Sequence, residues 1–447
     1  MPAKDLKSNV VIKVVSIIVL VVILVIPTTL INFLINDRVN VKNNAIEEVS
    51  HSWSKGQTIV GPYITIPYYN FPSDSLGNIR PFEKTIYLLP NTLKMDGELI
   101  PEVRYRGIHE VVVYNSNVGI SGEFDFSLLK EEGLIIENMA LDRAKLNVGI
   151  SDLKGIENQV QIDWDDETKY FDPSIVSNST NVVSGINTIV NIDLDSTNTK
   201  KFSFNLNLKG SQHLYFTPVG KTTKAHLKSS WDSPSFSGKF LPDNREINDS
   251  GFEANWEILH LNRNYPQLWV NDEFKIGLEN FGTDLMLPID NYTKSDRVIK
   301  YAILFIALTF LAFFFVEIMN KIFIHPIQYL LVGLSLVVFY VLLVSFSEHL
   351  VYNLAYWLAT TLTLLSISGY TWAITKSKAV GGLILGILVI LYSFIFTIIQ
   401  LEDYSLLIGS IGIFLILSFV MFMSRKIDWY ELKLGDNQKI NNLENKE

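Results

Sequence analysis

VVSIIVLVVILVIPTTLINFLI at residues 14–35 and YAILFIALTFLAFFFVEIM at 301–319 are the two apolar runs that decide the fold of this 447-residue chain. The first carries no charge and the second only Glu317. Crossing a hydrocarbon core of about 30 Å takes roughly 20 residues at about 1.5 Å of rise each, and both runs have that length. Between them lie residues 36–300, and after them come four more uncharged runs, 328–346, 354–375, 379–399 and 405–423. The pattern predicts a membrane protein with six transmembrane helices, one N-terminal anchor plus a C-terminal block of five, and one large exported domain. Its parts are 1–35, the domain 36–300, the helices of 301–423 and a tail 424–447. The 48% hydrophobic content is concentrated in the runs rather than spread, as a bilayer-spanning chain requires.

Lys and Arg in short connections stay on the cytoplasmic side, whereas acidic residues contribute little. Lys4, Lys7 and Lys13 therefore place the N-terminus in the cytoplasm and 36–300 outside. Threading onward, Lys321, then Lys376 and Lys378, then Arg425 and Lys426 fall on the inner side. The outward connections carry Glu348, and Glu402 with Asp403, without Lys or Arg. The expected location is a bacterial inner membrane, with several passes and both termini cytoplasmic. The first run exceeds the 7 to 15 apolar residues usual in a cleaved signal, and no small-residue cleavage pattern follows, so it reads as a retained anchor.

Residues 36–300 hold 26 Lys plus Arg against 36 Asp plus Glu, a net −10 beside −9 for the whole chain. An acidic surface without basic clusters argues against nucleic acid and anionic headgroups as partners. With no cysteine, this domain has neither disulfides nor thiol chemistry and must rest on a packed core. Its pattern is mainly antiparallel β. Phe202, Phe204, Leu206 and Leu208 alternate with Ser203, Asn205, Asn207 and Lys209, and the same period recurs around Val118, Leu146, Val160, Val190 and Phe252. Period two with polar partners means sheets with one wet face, hence a sandwich or two packed sheets. Short helices are expected at 45–53 and 126–132. GISGEF at 119–124 echoes SFSGKF at 235–240, which raises an internal duplication as a hypothesis.

No HExxH, Walker, dinucleotide or GxSxG motif is present, and no catalytic, cofactor or metal residue is assigned. The histidines His51, His109, His213, His226 and His260 are scattered; His213 and His226 could meet across a hairpin, but metal-ligand spacing is lacking. Asp165 and Asp166 beside Trp164 read as a solvated turn. Ionisable groups at bilayer depth are the sharper candidates. Glu317 precedes Lys321 at the favourable i, i+4 spacing, with His325 beyond, and the plain reading is a pair snorkelling to the headgroups. Glu348, His349, Glu402 and Asp403 gather in the outward connections, where they could dock the β domain or sense pH through the histidine. Gly382 with Gly386, and Ser405 with Gly409, have the small-xxx-small spacing that lets the last two helices approach.

Several stretches carry a family resemblance from end to end. They are Trp53, Gln57, Gly61, Pro62 and Pro67; RYRGIHEVVVY at 104–114; ISDLKGI at 150–156; LKGSQHLYFTPVGKTTKAHLKSSWDSPSFSGKFLP at 208–242; and GFEANW at 251–256. They continue as DRVIKYAILFIALTF at 296–310, HPIQYLLVGLSLVVFYVLLVSFSEH at 325–349, LEDYSLL at 401–407 and RKIDWY at 425–430. In these the chain resembles the CreD family of inner-membrane, cell-envelope-integrity proteins. Asp232 and Ser233 depart from the pattern, standing where Pro and His are expected. The resemblance implies a link to envelope stress, to a two-component system responding to interference with wall synthesis and β-lactams, and to altered colicin tolerance. It implies a periplasmic place for 36–300 and no reaction. Two classes of function stand: a non-enzymatic factor whose external domain binds a wall component, a toxin or another envelope protein, and a transporter or channel formed by the later helices. The apolar helix centres favour the first.

Overall fold

A computed structural model of the chain describes residues 10–71, 82–131, 133–175, 184–194, 198–271, 273–287, 291–320, 322–401 and 404–425. They fall into two compact units, one drawn from 1–41 and 289–447, the other from 42–288. Among the described residues there are eight α-helices. In chain order they are α1 (Val10–Trp53), α2 (Ser127–Glu131), α3 (Asn291–Lys300), α4 (Ala302–Met319), α5 (Pro326–Ser347), α6 (Tyr352–Thr375), α7 (Lys378–Gln400) and α8 (Ser405–Ser424).

The helical unit answers the apolar runs. Five described helices, α1, α4, α5, α7 and α8, are long and apolar enough to cross a bilayer. That is one fewer than the expected six. The difference is α6, which has 24 residues but carries five threonines and three tyrosines. Its hydroxyls lower the apolarity, and four of them are answered within the helix: Thr361, Thr363, Thr371 and Thr375 each donate to the carbonyl four residues back at 2.7–2.9 Å. Between α5 and α7, α6 is fastened by the Tyr356 hydroxyl, which donates to the Tyr392 carbonyl at 2.7 Å. His325 caps α5 and Ser377 caps α7, accepting from the Ile327 and Val380 amides respectively.

The small residues pack differently from expectation. Gly382, Gly386 and Gly409 face open space, with no atom of another described element within 4 Å of where a Cβ would stand. Close approach happens elsewhere: Gly333 of α5 lies against Leu24 of α1, Gly381 lies under Trp372 of α6, and Gly412 of α8 lies under Phe394 of α7. The last two helices do meet, but a bulky ring over one glycine replaces a shared small-residue seam.

The second unit holds two sheets. The first, nine-stranded among the described residues, runs β13 (Pro234–Gly238), β17 (Phe281–Leu285), β11 (His213–Phe216), β1 (Gln57–Asn70), β5 (Lys145–Ile150), β9 (Ser184–Ile189) and β8 (Asp172–Ile175). Off this path, β2 (Phe82–Leu88) pairs with β1, and β16 (Leu268–Val270) with β2. The eight-stranded sheet runs β14 (Asn244–Asn248), β15 (Gly251–Leu259), β12 (Thr222–Ser229), β3 (Thr92–Arg106), β4 (His109–Asp125), β10 (Thr199–Ser211), β6 (Gln161–Trp164) and β7 (Glu167–Tyr170). Among the described residues, parallel pairing is limited to β1 with β11 and β3 with β12, and the other pairs are antiparallel. The domain is mixed but mainly antiparallel.

Alternation places the core. Phe202, Phe204, Leu206 and Leu208 of β10 are buried while Ser203 and Asn205 point to solvent, and β15 does the same with Phe252, Ala254, Trp256 and Ile258. The inward faces of both sheets share one cluster. Trp164 is its largest fully buried side chain, with ring centroids of Phe124 and Phe126 at 6.0 and 6.5 Å. Burying each such side chain contributes on the order of 2 kcal/mol.

Two sequence expectations fail here. Val190, Ile192 and Leu194 are buried but form no strand, because the Val190 amide bonds the Ala144 carbonyl and the Asn191 carbonyl accepts from the Trp164 indole. Burial on alternate residues is not enough for a strand without a ladder partner. GISGEF lies in β4, inside the eight-stranded sheet, whereas the SFSG of its echo lies in β13, an edge of the other sheet. The similarity therefore marks no repeated unit.

Candidate functional site

In the helical unit the lone charge of the 301–319 run finds a partner from the first helix. Glu317 is fully buried, and its Oε1 lies 3.0 Å from the Lys13 ammonium, itself 6% exposed. The Tyr329 hydroxyl donates to Oε2 at 2.7 Å and the Ile324 amide to Oε1 at 3.2 Å. Lys13 also donates to the Ile324 carbonyl and stands over the Phe323 and Tyr329 rings, at 4.8 and 4.9 Å. Glu317 thus does not snorkel to the headgroups, as the expected pairing with Lys321 implied, and Lys321 lies outside the described residues. The arrangement is a closed, neutral knot joining α1, α4 and α5, with every strong donor and acceptor answered. Lys13 reads in the sequence only as a positive flank. The signal that could have paired it is one lone cation beside the first apolar run and one lone anion inside the second.

Of the acidic group expected from Glu348, His349, Glu402 and Asp403, only the first two lie among the described residues. Glu348, at the C-terminus of α5, meets Arg38 Nε at 3.3 Å and accepts from the Tyr292 hydroxyl at 3.2 Å. His349 is exposed, and Glu402 and Asp403 lie outside the described residues. Arg38 is 45% exposed, so the pair contributes well under about 1 kcal/mol.

In the β unit, stretches far apart in sequence converge where α1 ends. The Trp53 ring is held between the Arg104 guanidinium at 3.8 Å and the Lys209 ammonium at 4.8 Å, and its indole N–H donates to the Tyr114 carbonyl at 3.4 Å. Four residues on, the fully buried Gln57 amide donates to Ser54 Oγ and to the carbonyls of Asp152 and Lys209 at 2.9–3.0 Å. The Tyr114 hydroxyl donates to the His213 carbonyl at 2.6 Å. Arg106 closes on Glu48 at 2.8 Å. Beside this knot an open groove of about 820 Å³ is lined by Glu47, His51, Trp53, Arg104, Tyr105 and Arg106. It combines the half-buried Arg104 and the exposed Arg106, paired with Glu102 and Glu48, with the acidic Glu47, an indole and a phenol, a mix of charge and rings suited to recognition. Trp53, Gln57, RYRGIHEVVVY, ISDLKGI and LKGSQH all contribute to the knot, and Trp53 with Arg104, Tyr105 and Arg106 reaches the groove.

The histidines do not gather. Among the described residues no group of three His, Asp or Glu side chains is placed to hold a metal ion. His213, in β11, stacks on Tyr215 at 4.6 Å in one sheet, and burial lowers its affinity for a proton. His226, in β12 of the other sheet, bonds Asp96 and Glu253 at 2.9 Å each. Asp165 turns the chain at φ 47° and pairs with Lys200 at 2.8 Å, the solvated turn expected after Trp164.

Burial works to lower the His226 proton affinity, but the hydrogen bonds to Asp96 and Glu253 outweigh it and raise the pKa above the ordinary 6.5. A raised folded value means stability fully present below about pH 6.5 and lost as pH climbs through that value. Among the charged neighbours, Lys224 is paired with Glu257 and Lys228 with Glu98. His226→Gln is therefore expected to lower the unfolding midpoint of the domain more at about pH 5.5 than at about pH 8.5. Equal losses at both pH values would contradict the clasp.

A family model described as "Inner membrane protein CreD" matches residues 9–430 of the chain. The "Inner membrane protein CreD" of Escherichia coli (strain K12) is 32% identical over 444 residues, covering 96% of each chain. Both descriptions name an inner membrane protein, and neither names a reaction.

Proposed function

The chain belongs to the CreD family of inner membrane proteins, and from that premise we propose that it is a non-enzymatic factor of cell-envelope integrity and envelope-stress response. In this reading residues 36–300 are periplasmic, both termini are cytoplasmic, and 301–423 anchor the domain in the bilayer. The domain acts by binding an envelope protein or a cell-wall component. The observation that supports it most is the convergence at Trp53, where a rigid network presents cations and aromatic rings around an open groove. Tethered by apolar helices on both flanks, such a surface recognises what reaches the membrane. The alternative, a transporter or channel formed by the later helices, draws on one observation: the buried hydroxyls of Tyr340, Tyr352 and Tyr392 find no hydrogen-bond partner among the described residues.

Photocrosslinking in living cells tests the binding reading. A crosslinker replacing His51 or Tyr105, both lining the groove, is expected to capture one recurrent envelope partner, and one replacing the exposed Arg245 on β14 is not. Identical capture from all three positions, or none from the groove, would count against it.

A further inference from the structure

The outer face of the eight-stranded sheet carries a second trough, of about 630 Å³, lined by none of the residues of the groove at Trp53. Its walls are Asn158, Gln159, Gln161, Ser203, Asn205 and Asn207, with Gly119 and Ser121 in its floor. Solvated sheet faces usually carry long charged side chains, and so does the rest of this face. Around the trough stand ion pairs, Lys200 with Asp165, Lys209 with Glu157, Lys224 with Glu257 and Lys228 with Glu98, at 2.8–3.3 Å. Inside it the lining is mostly uncharged. None of its amide or hydroxyl side chains makes a hydrogen bond to the described protein, so their donors and acceptors are not engaged by it. Of its three charged members, Asp96 is engaged by His226 and Asp163 by Thr168, leaving Lys94.

We infer that this trough binds an uncharged, hydroxyl-rich saccharide chain. Amides and hydroxyls each offer both donor and acceptor, which matches a sugar hydroxyl, itself donor and acceptor, better than an anion or an apolar group. Register supports a linear occupant. Asn205 stands opposite Gly119, Gly119 opposite Asp96, Asp96 opposite His226 and His226 opposite Asn255, a row that crosses β10, β4, β3, β12 and β15. Strands lie about 4.8 Å apart, close to the length one ring adds to a linked sugar chain, so successive rings meet successive strands. At Gly119 the row dips to the backbone. An added Cβ there would press to 3.3 Å from the Asn205 amide oxygen, so glycine keeps that side chain low and the channel open. A further hollow of about 420 Å³, sharing Lys94 and flanked by Asn244 and Asn255, prolongs the trough toward β14. The occupant rests on the proposed export of the domain, since a glycan strand would be met outside the membrane.

Full-length protein in lipid nanodiscs, titrated calorimetrically with chitohexaose, tests the inference. Saturable binding is expected, weakened roughly tenfold or more by Asn205→Ala with Asn207→Ala and unchanged by Lys228→Ala outside the trough. Because the contacts are neutral, raising salt from about 0.05 to about 0.5 M should leave the affinity unchanged. Absence of saturable binding by the folded protein, or equal binding by the double variant, overturns the assignment. Crosslinking from the groove is independent of this result, so loss of the saccharide site and loss of the envelope-binding reading are told apart.

Discussion

Glu317→Ala is expected to destabilise the helical unit by about 3–5 kcal/mol, because it leaves the Lys13 ammonium buried without its anion. Lys13→Met should cost a similar amount for the mirror reason, stranding the carboxylate against Tyr329 and the Ile324 amide. Glu317→Gln keeps the shape and an acceptor for Tyr329 but not the charge, and should fall between Ala and wild type. The double change Lys13→Met with Glu317→Leu removes both charges together and should recover most of the loss, since a buried pair gains little over apolar packing once its desolvation is counted. Unfolding of the purified protein in graded denaturing detergent, followed by helical circular dichroism, reads the four variants side by side. Additive losses in the double variant would show that the two side chains act separately, against the geometry of the knot.

A second large effect is expected in the β unit at Arg263, which is 6% exposed and makes no ion pair among the described residues. Its guanidinium donates to the carbonyls of Tyr265, Val219, Pro266 and Gly220 and stands 4.3 Å from the Tyr265 ring. Burial pushes its pKa down to about 10, so it remains charged at neutral pH. Arg263→Leu would leave those carbonyls without donors, and unmet buried acceptors cost about 1–3 kcal/mol each. A loss of roughly 3–5 kcal/mol is expected, with little relief from Arg263→Lys, whose single ammonium cannot span carbonyls on two segments. Tryptophan fluorescence in a urea series measures it, with Arg104→Ala as the mild comparison. If Arg263→Leu unfolded at the wild-type urea concentration, the carbonyl cradle would have no energetic weight.

What the sequence discloses follows how local each signal is. Apolar runs of bilayer length and alternation along single strands are written in consecutive residues, so α1, α4, α5, β4, β5, β10 and β15 are legible. The ladder partners are not. The parallel pairs of β1 with β11 and β3 with β12 join segments more than about a hundred residues apart, and nothing in either strand names the other. The run from Val190 misleads because burial alternates there without a neighbour to complete a ladder. Gly382 and Gly386 mislead because small spacing permits close helix contact but does not compel it. Trp53, Gln57 and ISDLKGI stand out in the sequence as pieces of a family pattern, yet their meeting around Lys209 is a property of the fold alone. Glu317 is the instructive case. Its cost at bilayer depth is legible, while the residue that neutralises it, Lys13, lies more than about three hundred positions away and serves equally well as an orientation signal.

In the proposed topology 36–300 lies outside the inner membrane while the connection before α7 lies inside. A chain without cysteine permits a direct measurement, because a single introduced thiol has no background. Asn244→Cys, on the exposed edge strand β14, and Lys378→Cys, at the start of α7, are each treated with a membrane-impermeant maleimide in cells whose outer membrane has been opened. The account predicts labelling of Asn244→Cys at once and of Lys378→Cys only after lysis. Labelling of Lys378→Cys in unlysed cells, with Asn244→Cys protected, would contradict it.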